Sequence, residues 1–372
     1  FTVNDGTTNS SSSYTMTVNV TAVNDAPTVV NDTDSVTEGG TVIETTNSAG
    51  TVLSDDSDVD GDSLTVSGTV TQTSATANGG SSITISSPNS GSVGSAVTGY
   101  YGQLTLDSDG TYSYVANQSN ADALDSGESG TDVFTFTVSD GTTTTSSTIT
   151  FTINGENDAP TASDNTVTTN EDTDHTFAAS EFGFTDVDGD SLDHVTIETL
   201  PSNGTLLLSG VAVSAGDEIS AADITNLVFR PAANANGSDY DSFTFSVNDG
   251  TADSSSTYTM TVDVDAVNDA PTVVDDTDSV TEGGTVIETT NGEDTVISDD
   301  SDVDGDSLTV SGTVTQTSAT DTSGSSISIG SPNSASVGSA VTGYYGQLTL
   351  DSDGTYSYTA NQSTADALDD GE

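Results

Sequence analysis

The tetrapeptide NDAP occurs at 24–27, 157–160 and 268–271, and this recurrence most limits what the chain can fold into. Self-similarity of this kind marks a repeat architecture. The mark divides the chain into a first module type, 27–158, and a second, 159–269. Residues 1–26 read as the C-terminal strands of another second-type module. Residues 270–372 read as another first-type module lacking the counterpart of FTFTVSDGTTTTSSTITFTI (134–153), and so its last two strands. A younger duplication overlies this pattern: residues 25–128 and 269–372 agree at all but 14 of 104 positions. The chain opens at Phe1 in mid-motif and reads as a window cut from something longer.

Within modules the hydrophobic period is two, as a half-buried strand requires. LTLDSDGTYSY (104–114), FTFTV (134–138), STITFTI (147–153), FTFSV (243–247) and TYTMTVDV (257–264) show it best. Asp-Gly turns follow or divide several of these runs, at 5–6, 109–110, 140–141 and 249–250, and Asp-Gly between alternating runs signals a hairpin. Helical spacing is confined to QSNADAL (118–124) and ISAADITNL (219–227). Modules of about 110–130 residues built this way predict an all-β chain of tandem antiparallel β-sandwiches. Pro27, Pro160 and Pro271 open the modules, where a residue without an N–H suits a linker or edge strand.

Composition narrows the function. With 59 acids against one Lys or Arg, the formal charge is −58. Nucleic acid and anionic membranes are excluded as partners, since both are bound through cationic side chains. Leu, Ile, Val and Phe make up about a fifth of the chain, which with this charge borders on disorder. Alternating runs and acids gathered at turns point instead to small β domains completed by metal. There is no cysteine, hence no disulfide and no thiolate zinc site. No run reaches the ~18–20 apolar residues of a membrane span.

Strand parity places the acids. Entered from its upper end, an antiparallel sandwich turns first at the bottom and next at the top. Thirteen residues after the linker Asp comes a Glu at the first turn: Glu38, Glu171 and Glu282. These point down to the next linker. The DxDGD runs follow the second strand and point up to their own linker: Asp58, Asp60 and Asp62; Asp186, Asp188 and Asp190; Asp302, Asp304 and Asp306. Asp140 and Asp249 end the sixth strand, also at the top. The loops before that strand, with Asp125 and Glu128 or with Asp239 and Asp241, lie at the bottom. Around Asp158 this gathers Glu38, Glu128, Asp186, Asp188 and Asp249. Two carboxylates ~4 Å apart repel by about 1 kcal/mol even in water, so such a group needs a cation. Calcium takes six to eight oxygens in flexible geometry, whereas magnesium demands a tight octahedron, so Ca2+ is the expected cofactor. An EF-hand is excluded: after Asp56-x-Asp58-x-Asp60-Gly61, position twelve is Ser67, and Phe184 opens the equivalent run.

These motifs resemble bacterial extracellular repeats. The AVNDAP linker with its acidic turn, DVDGD and V-x-D-G resembles the calcium set of cadherin-like domains. That resemblance implies metal ligands at Asn24 and Asp25, Asn157 and Asp158, and Asn268 and Asp269, beside the acids named above. The second module is similar to bacterial cadherin-like repeats. The first, with YYGQLTLDSDGTYSYVANQSNADALDSGESGTDVFTFTVSDG, resembles the VCBS repeat. The resemblance implies Ig-like or cadherin-like sandwiches in an elongated array. It also implies a secreted location on the bacterial surface, within large RTX-type, type I-secreted adhesins, although no RTX nonapeptide is present.

The functional expectation is a structural extender of an extracellular calcium-dependent adhesin, in cell adhesion or biofilm formation. Its partners are calcium and neighbouring repeats. The alternative is an adhesion module that binds a glycan or another protein copy, with Tyr100, Tyr101, Tyr112 and Tyr114 as a stacking platform. An enzyme is not expected, because the paired carboxylates recur at every module's turns. Asp55 and Asp56 take no assigned part.

Overall fold

The computed structural model describes residues 1–45, 50–289, 294–330 and 332–368, and no α-helix occurs among them. In the first module the strands are β1 (Asp32–Thr37), β2 (Thr41–Glu44), β3 (Thr65–Thr76), β4 (Ser82–Ile83), β5 (Ser90–Ser92), β6 (Ala96–Thr98), β7 (Gln103–Leu106), β8 (Tyr112–Val115), β9 (Ser129–Ser139) and β10 (Thr144–Asn154). One sheet runs β1-β10-β9-β3-β4, with β5 also on β3, and the other β2-β8-β7-β6. Along β9 burial alternates at every residue, so Phe134, Phe136 and Val138 line the inner face. Leu104, Leu106, Tyr114, Ile149 and Phe151 meet them there, with Tyr114 stacked on Phe151 at 4.1 Å between ring centroids. The β7–β8 hairpin turns at Asp109-Gly110, where Gly110 has φ of 86° and a Cβ would strike Leu53.

The second module repeats this plan with β11 (Asn165–Asn170), β12 (His175–Thr176), β13 (His194–Ile197), β14 (Thr205–Leu208), β15 (Val211–Ala212), β16 (Glu218–Ser220), β17 (Leu227–Arg230), β18 (Gly237–Asn248) and β19 (Tyr258–Asp265). Its sheets are β11-β19-β18-β13-β16 and β12-β17-β14-β15, around a core containing Phe177, Phe182, Phe229, Phe243 and Phe245. Arg230 holds Asp174 with two hydrogen bonds of 2.6 and 2.8 Å.

Two features depart from a purely antiparallel reading. The first strand of each complete module joins its last strand in parallel: β1 with β10, and β11 with β19. This keeps the directions that parity assigned, because β10 and β1 both run away from the upper linker. The helical spacings form turns at 118–124, and a strand end plus a 3-10 turn at Ile224–Asn226.

The ends behave differently from their counterparts. Residues 1–26 contain one isolated bridge, Asn4 to Asn9, and leave Val3, Tyr14, Met16 and Val18 exposed. Their counterparts in β18 and β19 are held by β11 and β13, and no described segment takes those places here. In the last module, residues 276–281 align with β1 yet form no strand, and only Thr313–Thr315 is a strand where β3 has twelve residues. Leu348, Leu350, Tyr356 and Tyr358 stay half-buried where Leu104, Leu106, Tyr112 and Tyr114 are buried. Sheet pairing, not local sequence, decides these segments.

Candidate metal centre

Each linker is gripped in one way. Asn24 Nδ2 donates to the Asp25 carbonyl at 2.6 Å and to Asp140 Oδ2 at 2.9 Å, while the Asp25 N–H donates to Asp60 Oδ2 at 2.8 Å. At the next linker, Asn157 Nδ2 donates to the Asp158 carbonyl and Asp249 Oδ2, and the Asp158 N–H to Asp188 Oδ2 at 2.8 Å. At the third, Asn268 Nδ2 donates to the Asp269 carbonyl, and the Asp269 N–H to Asp304 Oδ2 at 2.7 Å. Linker and DxDGD loop therefore meet at all three positions.

The DxDGD loops fold on their first aspartate. Asp58 Oδ1 accepts the N–H groups of Asp60 and Asp62, Asp186 Oδ1 those of Gly189 and Asp190, and Asp302 Oδ1 those of Asp304 and Asp306. Gly61 supplies the left-handed turn, with φ of 81°. Asp58, Asp60 and Asp62 each present an oxygen within 4.8 Å of the others, a cluster that could hold a metal ion.

The junction between the two complete modules has the most developed site. Glu38 sits at the first turn, its N–H donating to the Asn154 carbonyl at the end of β10. Its side chain lines a cavity with Asp122, Glu156, Asn157, Asp158 and Asp186. Four oxygens here are buried and accept no hydrogen bond: Glu38 Oε2, Asn157 Oδ1, Asp186 Oδ2 and Asp188 Oδ1. Burial, then the charge of Asp158, with Asp188 and Asp122 adding, pushes the Glu38 carboxyl up to about 7. Burial raises Asp158 and Asp188 too, with neighbouring acids contributing. Asp190 is raised by burial and then by Asp125, with Glu128 also acting on it. Burial pushes Asp249 up as well, but the N–H groups of Ala252 and Thr251 and the Asn157 amide outweigh it and hold the carboxyl low. Asp140 is held well below the carboxylate range, chiefly by Asn24 and Thr143. The vacant acceptors are all oxygens, the donor set of a hard cation.

Parity thus places Glu38, Asp158, Asp186 and Asp188 together, and Glu128 near Asp190. Glu128 is also tied to Asn78 Nδ2 through Oε1. Asp122 and Glu156 enter the cavity without having been anticipated, one hidden in a helical spacing and the other just before NDAP. Asp241, expected at the bottom loop, turns inward and accepts the N–H groups of Ser202, Asn203 and Gly204. The tyrosine platform fails: Tyr101, Tyr112 and Tyr114 are core side chains. Asp56 Oδ1 ties down the Val30 N–H at 2.8 Å. Asp32 is raised to about 7 by burial and then by Asp55 and Asp56.

A pH effect follows. Glu38 and Asp32 bind protons more tightly folded than unfolded, so without metal the chain gains stability as pH falls through about 7 toward ~4. The depressed carboxylates of Asp140 and Asp249 lose their contribution only below that window. In EDTA, the melting temperature by circular dichroism is expected to be higher at about pH 5.5 than at about pH 7.5. A fall over this interval would contradict the charge arrangement described.

Residues 24–155 match the model of the bacterial cadherin-like domain, and residues 157–264 that of the bacterial Ig domain. The chain contains a bacterial cadherin-like domain followed by a bacterial Ig domain. The cadherin-like match falls on the module with VCBS-like motifs, and the Ig match on the module whose motifs resemble cadherin-like repeats. Both domain types are typical of extracellular or surface proteins, and are typically structural or adhesive rather than enzymatic. Cadherin-like domains generally bind calcium. No helix among the described residues is long and apolar enough to cross a membrane.

No curated protein matches the chain. Among solved structures, an endo-fucoidan hydrolase of glycoside hydrolase family 107 is 19% identical over 65% of this chain, with a TM-score of 0.23. The chain spans only 29% of that protein's length. The N-terminal four Ig domains of Dscam1 isoform 6.9 are 8% identical, covering 67% of this chain and 48% of theirs, with a TM-score of 0.26. Mouse clustered PcdhgC3 EC1-3 is 12% identical, covering 64% of this chain and 66% of its own, with a TM-score of 0.26.

Proposed function

We propose that these repeats are extenders of a large secreted, calcium-dependent bacterial adhesin, with Ca2+ held at the junctions to stiffen the array for adhesion or biofilm formation. The observation carrying this reading is the cavity between the cadherin-like and Ig-like domains, lined by Glu38, Asn157 and Asp186, whose buried, unpartnered oxygens, with that of nearby Asp188, come from both domains and the linker. Glu38, Asn157, Asp158, Asp186 and Asp188 would hold the ion, whose charge would offset the repulsion among them. The same motif acids, Asp25, Asp58, Asp60, Asp62 and Asp140, would serve the preceding junction. Glu171, Asp269, Asp302, Asp304 and Asp306 would serve the following one.

The mechanism is linkage: a cation that binds only the docked junction stabilises it and limits bending. Extracellular modules bind calcium at about 10⁻⁴ to 10⁻³ M, so the array would be limp in a cytosol and stiff outside. Placement in the VCBS and RTX adhesin group belongs to this proposal. Small-angle scattering across a calcium titration tests it. The radius of gyration is expected to change and the distance distribution to sharpen as calcium is added, and Glu38→Gln should shift the midpoint to higher calcium. A profile indifferent to calcium would reject stiffening.

A further inference from the structure

The junctions share a plan but not their side chains. Glu38 and Glu171 occupy equivalent first turns, each beside the residue just before the linker asparagine: the Glu156 backbone favours the charged form of Glu38, and the Val267 N–H donates to Glu171 Oε1 at 2.6 Å. Their second oxygens differ. Glu38 Oε2 is buried without a partner, whereas Glu171 Oε2 accepts Asn236 Nδ2 at 3.0 Å. Glu171 is also only 3% exposed.

A second asparagine works beside it. The Asn234 N–H donates to Asp172 Oδ1 at 3.1 Å. With its nitrogen turned toward the acids, the Asn234 side-chain amide donates to Asp172 Oδ2 at 3.0 Å and to Asp269 Oδ2 at 3.3 Å. Both asparagines belong to the loop before β18. The loop in the same place of the first module, before β9, brings Asp122, Asp125 and Glu128 instead. One loop adds carboxylates to its junction; the other adds amides. Buried Glu171 and half-buried Asp269 leave no buried oxygen unpartnered, against four at the Glu38 junction, while Asp172 and Asp304 are exposed.

We infer that Asn234 and Asn236 close the Glu171–Asp269 junction with amide hydrogen bonds in place of part of the cation, so that it holds its shape at calcium levels where the Glu38–Asp158 junction opens. The inference rests on the calcium reading above and adds a division of labour to it. An amide N–H meets a carboxylate lone pair with partial positive charge, and it does so whether or not metal is present. Repeats alternating these two module types would then alternate calcium-demanding joints with joints that persist without it.

Hydrogen exchange on the whole chain, in EDTA and in saturating calcium, tests this at two equivalent amides. Protection of the Glu156 N–H is expected to rise about tenfold or more with calcium, and that of Val267 by less than about threefold. Asn234→Ala with Asn236→Ala should make Val267 respond as Glu156 does. Asn236→Asp, which sets a carboxylate against Glu171, should do the same, and amides of β18 and β19 report that the domain stays folded. Equal calcium responses at both amides in the unaltered chain would overturn the inference and leave the calcium reading standing. Insensitivity of Val267 to both variants would also overturn it. No response at either amide would overturn both readings.

Discussion

Asp132→Ala is expected to remove a large share of the stability of the first sandwich. The Asp132 carboxylate has no solvent exposure, yet it accepts five hydrogen bonds. Three come from the backbone N–H groups of Tyr100, Tyr101 and Gly102, one from Gln72 Nε2 and one from the Tyr114 hydroxyl at 2.7 Å. The carboxylate thus pins the turn before β7 to β3 and β9 while orienting a core tyrosine. Removing it strands buried donors at about 1–3 kcal/mol each, and breaking a buried charged network typically costs about 3–5 kcal/mol. A domain stable by only about 5–15 kcal/mol loses a large share of that margin. Urea denaturation followed by exchange of β9 and β18 amides would separate the modules. The first transition should move to lower urea and the second stay in place. An unmoved first transition would show that the network is dispensable.

Chelation is expected to produce the other large effect. At about a hundredfold excess of calcium over its dissociation constant, each ion that binds only the folded junction adds about 2.7 kcal/mol. For domains of this size, about 1 kcal/mol corresponds to several degrees, so EDTA should lower the melting temperature by roughly 10 °C or more per ion lost. The formal charge of −58 acts in the same direction, because chelation leaves the self-repulsion of the acids uncompensated. Calorimetry with calcium, magnesium and EDTA would decide. Identical melts in all three would remove the metal from the account of stability, and equal rescue by magnesium would remove the preference for calcium.

The strands and the destination of the acids were legible because both depend on local pattern. Period-two runs became inner faces, and counting turns sent Glu38 and Asp188 to one junction from residues 150 apart. What the sequence did not disclose depends on packing. Asp241 looks like a surface turn acid, but its carboxylate is drawn inside by three N–H groups. Tyr112 and Tyr114, a stacking platform only in the alternative reading, sit in the core as their period-two run requires, because β8 faces β10 across the sandwich. Asp122 lies in a run whose helical spacing became turns, and Asn234 and Asn236 in a loop without periodicity, where only the fold says what faces what. Asp55 and Asp56 gain a setting beside Asp32.

The parallel pairing of first and last strands has a kinetic consequence. Residue 32 finds its place only beside residue 149, so the contact that closes each sandwich is nearly the longest available in sequence. In the last module the hairpin equivalent to β7–β8 forms, while residues 276–281, which align with β1, form no strand. The sandwich is therefore complete only when its first and last strands have met. High contact order of this kind slows folding, because loop-closure entropy is spent before the long-range pairing can form.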